Sequence, residues 1–225
     1  MRRFLFENGL SVFFGVIFLL SLLGQSFAGQ HAYNAEQLEH DAQPLAWGDY
    51  VLSPAFGGAV LENWQSEFLQ FTLFILATVW LVQKGSNESK KLEDVGGESD
   101  QKQRLGGYAP ENAPSAAKRP RDTVRWLYEN SLVLVMTVIF LLSWLGQSIS
   151  NWREENDELR EHGEQAISWS TYVFTADFWE RTLENWQSEF LAVGTMAVFT
   201  IYLRQRGSPE SKPVGSPHED TAASG

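Results

Sequence analysis

Apolar residues are concentrated in four stretches of the chain that carry no charged side chain. Each stretch holds 14 or 15 residues; the four cover 10–24, 68–82, 132–146 and 190–203. A membrane-spanning helix needs about 20 apolar residues. Uncharged neighbours extend the first and third stretches to that length, whereas the second and fourth reach it only through the polar string ENWQSE. The pattern predicts an all-α membrane protein with four transmembrane helices, at about 8–28, 63–83, 130–150 and 185–205.

The string ENWQSEFL occurs twice, at 62–69 and at 184–191. With the same offset of 122 residues, segments 1–92 and 123–214 align without a gap and share 41 identical residues out of 92. Such self-similarity marks a repeated structural unit. Each copy is predicted to form a helical hairpin, and both copies enter and leave the membrane on one side. The two hairpins are therefore expected to be parallel repeats, related by a pseudo-twofold axis along the membrane normal.

Two segments outside the hairpins lack long apolar runs. Residues 84–122 join the first repeat (1–83) to the second (123–206), and residues 207–225 follow it. Both segments are rich in Gly, Ser, Pro and charged residues, a composition typical of disorder. We therefore predict a disordered linker and a disordered tail.

The distribution of charge predicts the orientation of the hairpins. The net charge is −11, yet residues 29–66 contain no Lys or Arg, and 149–188 contain only three. Because loops rich in Lys and Arg stay in the cytoplasm, both termini and the linker are expected inside, with two acidic loops outside. The negative charge gives no indication of nucleic-acid binding, and without cysteine no disulfide supports the outer loops.

One alternative concerns the N-terminus. A basic start, an apolar middle and small residues near 26–28 are typical of a cleaved signal peptide. The same segment recurs at 125–150, inside the chain, where no such cleavage is expected. The repeat therefore favours a retained transmembrane helix.

Helix boundaries and interfacial residues can be assigned from local signals. Ser53-Pro54 and Thr175 are typical of helix N-termini. Arg3 and Arg125 stand four residues before Glu7 and Glu129, the spacing of helical salt bridges. Aromatic residues gather at membrane–water boundaries. The predicted interfacial anchors are Trp47, Trp64, Trp169 and Trp186.

Polar residues of both repeats are expected at one level in the outer leaflet. They are Gln25, Ser26, Asn63 and Glu67, with their equivalents Gln147, Ser148, Asn185 and Glu189. Asn63 and Glu67 share one helical face, which we expect to point toward the partner helices. Two interpretations remain open. The residues hydrogen-bond neighbouring helices, or Glu67 and Glu189 form a paired site for a proton or cation.

The outer loops offer a second cluster. Glu36, Glu39 and His40 recur as Glu158, Glu161 and His162, so two carboxylates and an imidazole of each copy share a helical face. This set would suit a metal ion or a sensor of external pH, although a solvated charged face is the preferred interpretation. No motif of a nucleophile, a zinc protease or a nucleotide site occurs. Neither an enzymatic activity nor a cofactor is predicted.

The ENWQSEF string before a membrane helix, together with the hairpin architecture, resembles an uncharacterised family of small bacterial inner-membrane proteins, a domain of unknown function. The resemblance covers 1–92 and 123–214 and implies a location rather than an activity. The sequence favours a non-enzymatic multi-pass protein of the bacterial inner membrane with a structural or interaction role. Alternatives are an ion- or proton-conducting protein using Glu67 and Glu189, and an envelope pH or stress sensor. The expected partners are the lipid bilayer and a second copy or another membrane protein.

Overall fold

A computed structural model describes residues 2–40 and 42–223 of the chain. Met1, Asp41, Ser224 and Gly225 lie outside the described residues, so the predicted outer loop and tail are each described in part. Within the described ranges the secondary structure is helical, and no residue there forms a strand.

The order of the helices repeats along the chain. In the described part, the first copy contains α1 (Arg2–Glu7), α2 (Gly9–Glu39), α3 (Trp47–Val51) and α4 (Pro54–Trp80), and the second contains α5 (Thr123–Glu129), α6 (Ser131–Glu161), α7 (Trp169–Tyr172) and α8 (Ala176–Tyr202). The long helices match in length, because α2 and α6 both hold 31 residues and α4 and α8 both hold 27. The offset of 122 residues in the sequence is thus an offset in secondary structure too.

Two of the described helices, α2 and α6, are long and apolar enough to cross a membrane. Each is about 46 Å long at 1.5 Å per residue, which exceeds a hydrocarbon core of about 30 Å. Roughly ten residues of each helix would therefore project beyond the membrane. Helices α4 and α8 do not contain an uninterrupted apolar stretch of this length, because the polar string ENWQSE lies within each of them. The second and fourth predicted spans stay predictions.

The predicted capping and pairing signals at helix ends are confirmed. The N–H of Phe56 donates to Ser53 Oγ at 3.3 Å, and the N–H of Phe178 donates to Thr175 Oγ1 at 3.3 Å. The two predicted salt bridges are also present: they join Arg3 to Glu7 at 2.6 Å and Arg125 to Glu129 at 2.5 Å.

The contacts divide the chain into two compact units. The first unit contains 1–61 and 146–173. Here the start of α4 packs closely on α6, because Gly58 lies against the side chain of Asn151 and leaves no room for a Cβ atom. A Cβ atom at Gly146 would come within 2.7 Å of Leu61 Cδ1. Small residues of this kind let helix backbones approach each other.

The second unit contains 62–145 and 174–225. In this unit the centroid of the Trp144 ring lies about 6 Å from the centroids of four other aromatic rings. Those rings belong to Phe140 (5.7 Å), Phe178 (6.2 Å), Trp179 (6.1 Å) and Trp186 (6.0 Å). Such aromatic pairs add stability beyond the area that they bury.

The segment 84–122 follows α4 as a succession of turns with two short 3-10 helices, Leu92–Asp94 and Gly106–Tyr108. Arg125 at the start of α5 is 3% exposed and forms an ion pair with Asp100 at 2.6 Å. The disorder predicted for segment 84–122 stays a prediction.

Candidate functional site

In the first repeat, a set of hydrogen bonds fastens the outer loop to α2. Trp47 Nε1 donates to Ser26 Oγ at 3.1 Å, and the indole stacks on Phe27. The Asn34 amide holds the backbone of Leu45 from both sides: its Nδ2 donates to the carbonyl at 2.9 Å, and its Oδ1 accepts from the N–H at 2.8 Å. The loop is thereby folded back along the outer end of the helix.

The second repeat contains the same set. Trp169 Nε1 donates to Ser148 Oγ at 3.1 Å, the distance found in the first copy. Asn156 Nδ2 donates to the Ile167 carbonyl at 3.0 Å, and Asn156 Oδ1 accepts from the Ile167 N–H at 2.7 Å. We call these two sets, Ser26–Trp47 with Asn34–Leu45 and Ser148–Trp169 with Asn156–Ile167, the loop clasps.

The clasps bring together residues that the sequence placed in two separate groups. Ser26 and Ser148 were predicted as members of the polar site, and Trp47 and Trp169 as interfacial anchors. The structure makes each Ser the hydrogen-bond partner of the Trp in its own repeat. Asn34 and Asn156 were not predicted as site residues from the sequence. They are identical residues at equivalent positions of the two copies, and this identity was the available signal.

The two glutamines beside these serines lie in different surroundings. Gln147 is fully buried, and neither its Nε2 nor its Oε1 has a hydrogen-bond partner among the described residues. Gln25, its equivalent, is only half-buried. A buried amide without hydrogen-bond partners costs free energy. Gln147 therefore lowers the stability of the first unit.

In the second unit, the buried face of α4 differs from the face predicted for it. Asn63 and Glu67 are exposed, whereas Gln65 and Ser66 are buried. The Oε1 of Gln65 accepts a hydrogen bond from Trp186 Nε1 at 2.7 Å. Trp186 is therefore engaged by a polar partner within the protein. Trp64 is 37% exposed, and the anchoring roles of the four tryptophans stay predictions.

The equivalent polar residues of α8 are half-buried. Asn185 Nδ2 donates to the Arg181 carbonyl at 2.8 Å, a bond within the helix. Glu189 lies close enough to Glu67 for the two carboxylates to interact electrostatically. The role of Glu67 and Glu189 as a paired site stays a prediction.

The C-terminal ends of α2 and α6 bring two histidines together in the first unit. His40 follows α2, His162 follows α6, and their ring centroids lie 6.0 Å apart at an interplanar angle of 75°. Beside them is a cavity of about 160 Å³ with carboxylates in its wall; these belong to Glu36, Glu154, Asp157, Glu158 and Glu161. Within the described ranges no group of three or more His, Cys, Asp or Glu side chains could hold a metal ion.

The Tyr50 phenol is buried in the same unit, 5% exposed, and its ring contacts Tyr33. Burial raises the pKa of Tyr50, and the carboxylate of Glu154 raises it further. Both effects disfavour the phenolate.

In the second unit, the same turn follows the C-terminal ends of α4 and α8. In GSNESK (85–90) Ser89 Oγ accepts from the Gln83 N–H at 2.9 Å, and in GSPESK (207–212) Ser211 Oγ accepts from the Gln205 N–H at 2.9 Å. Glu88 and Glu210 occupy equivalent positions in the two turns. The pKa of Glu88 is raised by burial first and then by the charge of Glu210.

Comparison with known proteins identifies a family without an assigned activity. No curated protein and no solved structure matches the chain. The model of one family matches residues 1–223, nearly the whole length, and its description is a domain of unknown function (DUF6766). The chain belongs to the DUF6766 family.

Proposed function

We propose that the protein is a non-enzymatic, multi-pass protein of the bacterial inner membrane with a structural or interaction role. The observation that carries this proposal is the pair of loop clasps. In both repeats a serine and an asparagine of the long helix bind the following loop through hydrogen bonds within the protein. Each bond of this kind contributes about 1 kcal/mol net to the stability of the folded loop.

The proposed arrangement has four spans, with both termini and the linker in the cytoplasm. Two helices of suitable length and hydropathy support the membrane location, and the distribution of Lys and Arg supports the orientation. A reporter fused after Lys90 is expected to read cytoplasmic, and one inserted near Asp41 is expected to read external. The reverse readings would contradict the orientation, and one location for both would contradict the first hairpin.

Conduction of protons or cations is the second candidate, favoured by the electrostatic interaction of Glu67 with Glu189. The double substitution Glu67→Gln, Glu189→Gln preserves hydrogen-bonding capacity and removes both charges. Under the structural proposal, ion flux into proteoliposomes stays at the level of protein-free vesicles for both the parent chain and the variant. Flux that the parent shows and the double variant loses would overturn the structural proposal.

A matched control for this experiment is Glu184→Gln, since Glu184 is exposed and opens the same string. Any flux that depends on the Glu67–Glu189 pair should survive this substitution. Helical content measured by circular dichroism confirms that each variant is folded.

A further inference from the structure

The contact between His40 and His162 joins equivalent residues of the two repeats in the first unit. Each imidazole stands at the C-terminal end of a long helix. His162 Nδ1 lies 2.9 Å from the Glu158 carbonyl oxygen. That oxygen only accepts, so Nδ1 carries a hydrogen and a further proton would bind at Nε2.

The surroundings of the pair are strongly negative. Glu36 on α2 faces the cavity from one side; Glu154, Asp157, Glu158 and Glu161 face it from α6. The start of α4 contributes Ser53, Pro54 and Ala55, which carry no charge, and the remaining titratable group in the wall is the phenol of Tyr33. Among the described residues that line the cavity none is Lys or Arg, and the neighbouring Arg160 is paired with Asp157 at 2.6 Å.

We propose that His40 and His162 form a pH-dependent lock between the outer ends of α2 and α6. Histidine is the side chain that ordinarily changes charge between pH 5 and 8. With both imidazoles neutral, carboxylates on the two helix ends repel each other across the cavity. With both protonated, two positive charges stand among five carboxylates and at helix C-termini, where the helix dipole favours cations.

The direction of the effect follows from this charge distribution. The two imidazolium groups repel each other, but each also meets carboxylates on its own helix and on the other one, and the negative groups are in excess. Acidification therefore draws the two helix ends together, and a rise in pH lets them separate. Because the histidines are exposed, salt in the medium should weaken the response.

The distance between the helix ends can be measured directly, since the chain contains no cysteine. Spin labels are attached to Leu38→Cys, near the end of α2, and to Ala166→Cys, in the loop directly after α6; both residues are exposed and neither lines the cavity. Pulsed electron paramagnetic resonance then gives the distance in lipid nanodiscs from pH 8 to pH 5. We expect the mean distance to shorten by roughly half a helical turn, about 3 Å.

Three variants decide the proposal. The double substitution His40→Gln, His162→Gln should abolish the shortening, whereas His31→Gln, on the exposed side of α2 and outside the cavity wall, should preserve it. The variant Glu158→Gln, Glu161→Gln keeps both imidazoles and should reduce the response, which provides a test if the double His variant is unfolded. A distance that is independent of pH, that lengthens on acidification, or that responds equally without the two histidines would overturn the proposal.

Discussion

Truncation of the clasp asparagines, Asn34 on α2 and Asn156 on α6, should destabilise the protein. In Asn34→Ala the N–H of Leu45 loses its partner, and its carbonyl keeps only the bond from Gln30 Nε2 at 3.0 Å. In Asn156→Ala the N–H of Ile167 likewise loses its partner, and the Ile167 carbonyl keeps only the bond from Trp152 Nε1 at 2.8 Å. Each substitution removes two part-buried hydrogen bonds.

The expected magnitude follows from these bonds. A hydrogen bond contributes about 1 kcal/mol net, and a buried group left without a partner costs about as much again. Because each variant loses two bonds and one carbonyl partner survives, we expect it to lower the free energy of unfolding by about 2 kcal/mol. The two clasps share no residue, so the double variant should lose about twice that amount.

Equilibrium unfolding in detergent micelles, followed by tryptophan fluorescence, measures this loss. The variant Asn34→Asp keeps the acceptor for the Leu45 N–H and loses the donor, so it should fall between the parent and Asn34→Ala. Asn130→Ala is the control, since Asn130 is only half-buried and its amide donates a single bond, to the Trp126 carbonyl. If Asn34→Ala and Asn156→Ala are no more destabilising than this control, the clasps do not stabilise the outer loops.

Two further predictions concern pH. The raised pKa of Glu88 means that the folded protein holds its proton more tightly, so the favourable contribution is complete at low pH and is lost as the pH rises through the folded-state pKa. Glu88→Gln should therefore raise the melting temperature at pH 8 and change it little at pH 4; a lower melting temperature at pH 8 would contradict this. The raised pKa of Tyr50 means that the unfolded chain ionises first, so stability should fall above about pH 10. Tyr50→Phe should make that fall shallower in an alkaline titration of the melting temperature, and an unchanged slope would count against it.

Local patterns in the sequence were sufficient for much of the helical structure. The period of apolar residues and the cap residues Ser53 and Thr175 predicted where α4 and α8 begin, because these signals act over one turn of backbone. The repeat indicated that the second half of the chain would show the helices of the first. The outer-loop helices were less apparent, since the loop is held by bonds between residues that lie 11 to 21 positions apart.

The identical octapeptide ENWQSEFL shows most clearly what only the tertiary structure decided. Gln65 in the first copy is fully buried and bonded to Trp186, while Gln187, its equivalent in the second copy, is exposed. Eight identical residues fix the same helix and the same set of side chains in both places. Burial depends on which residues pack against that helix from elsewhere in the chain, and those neighbours differ between the two copies.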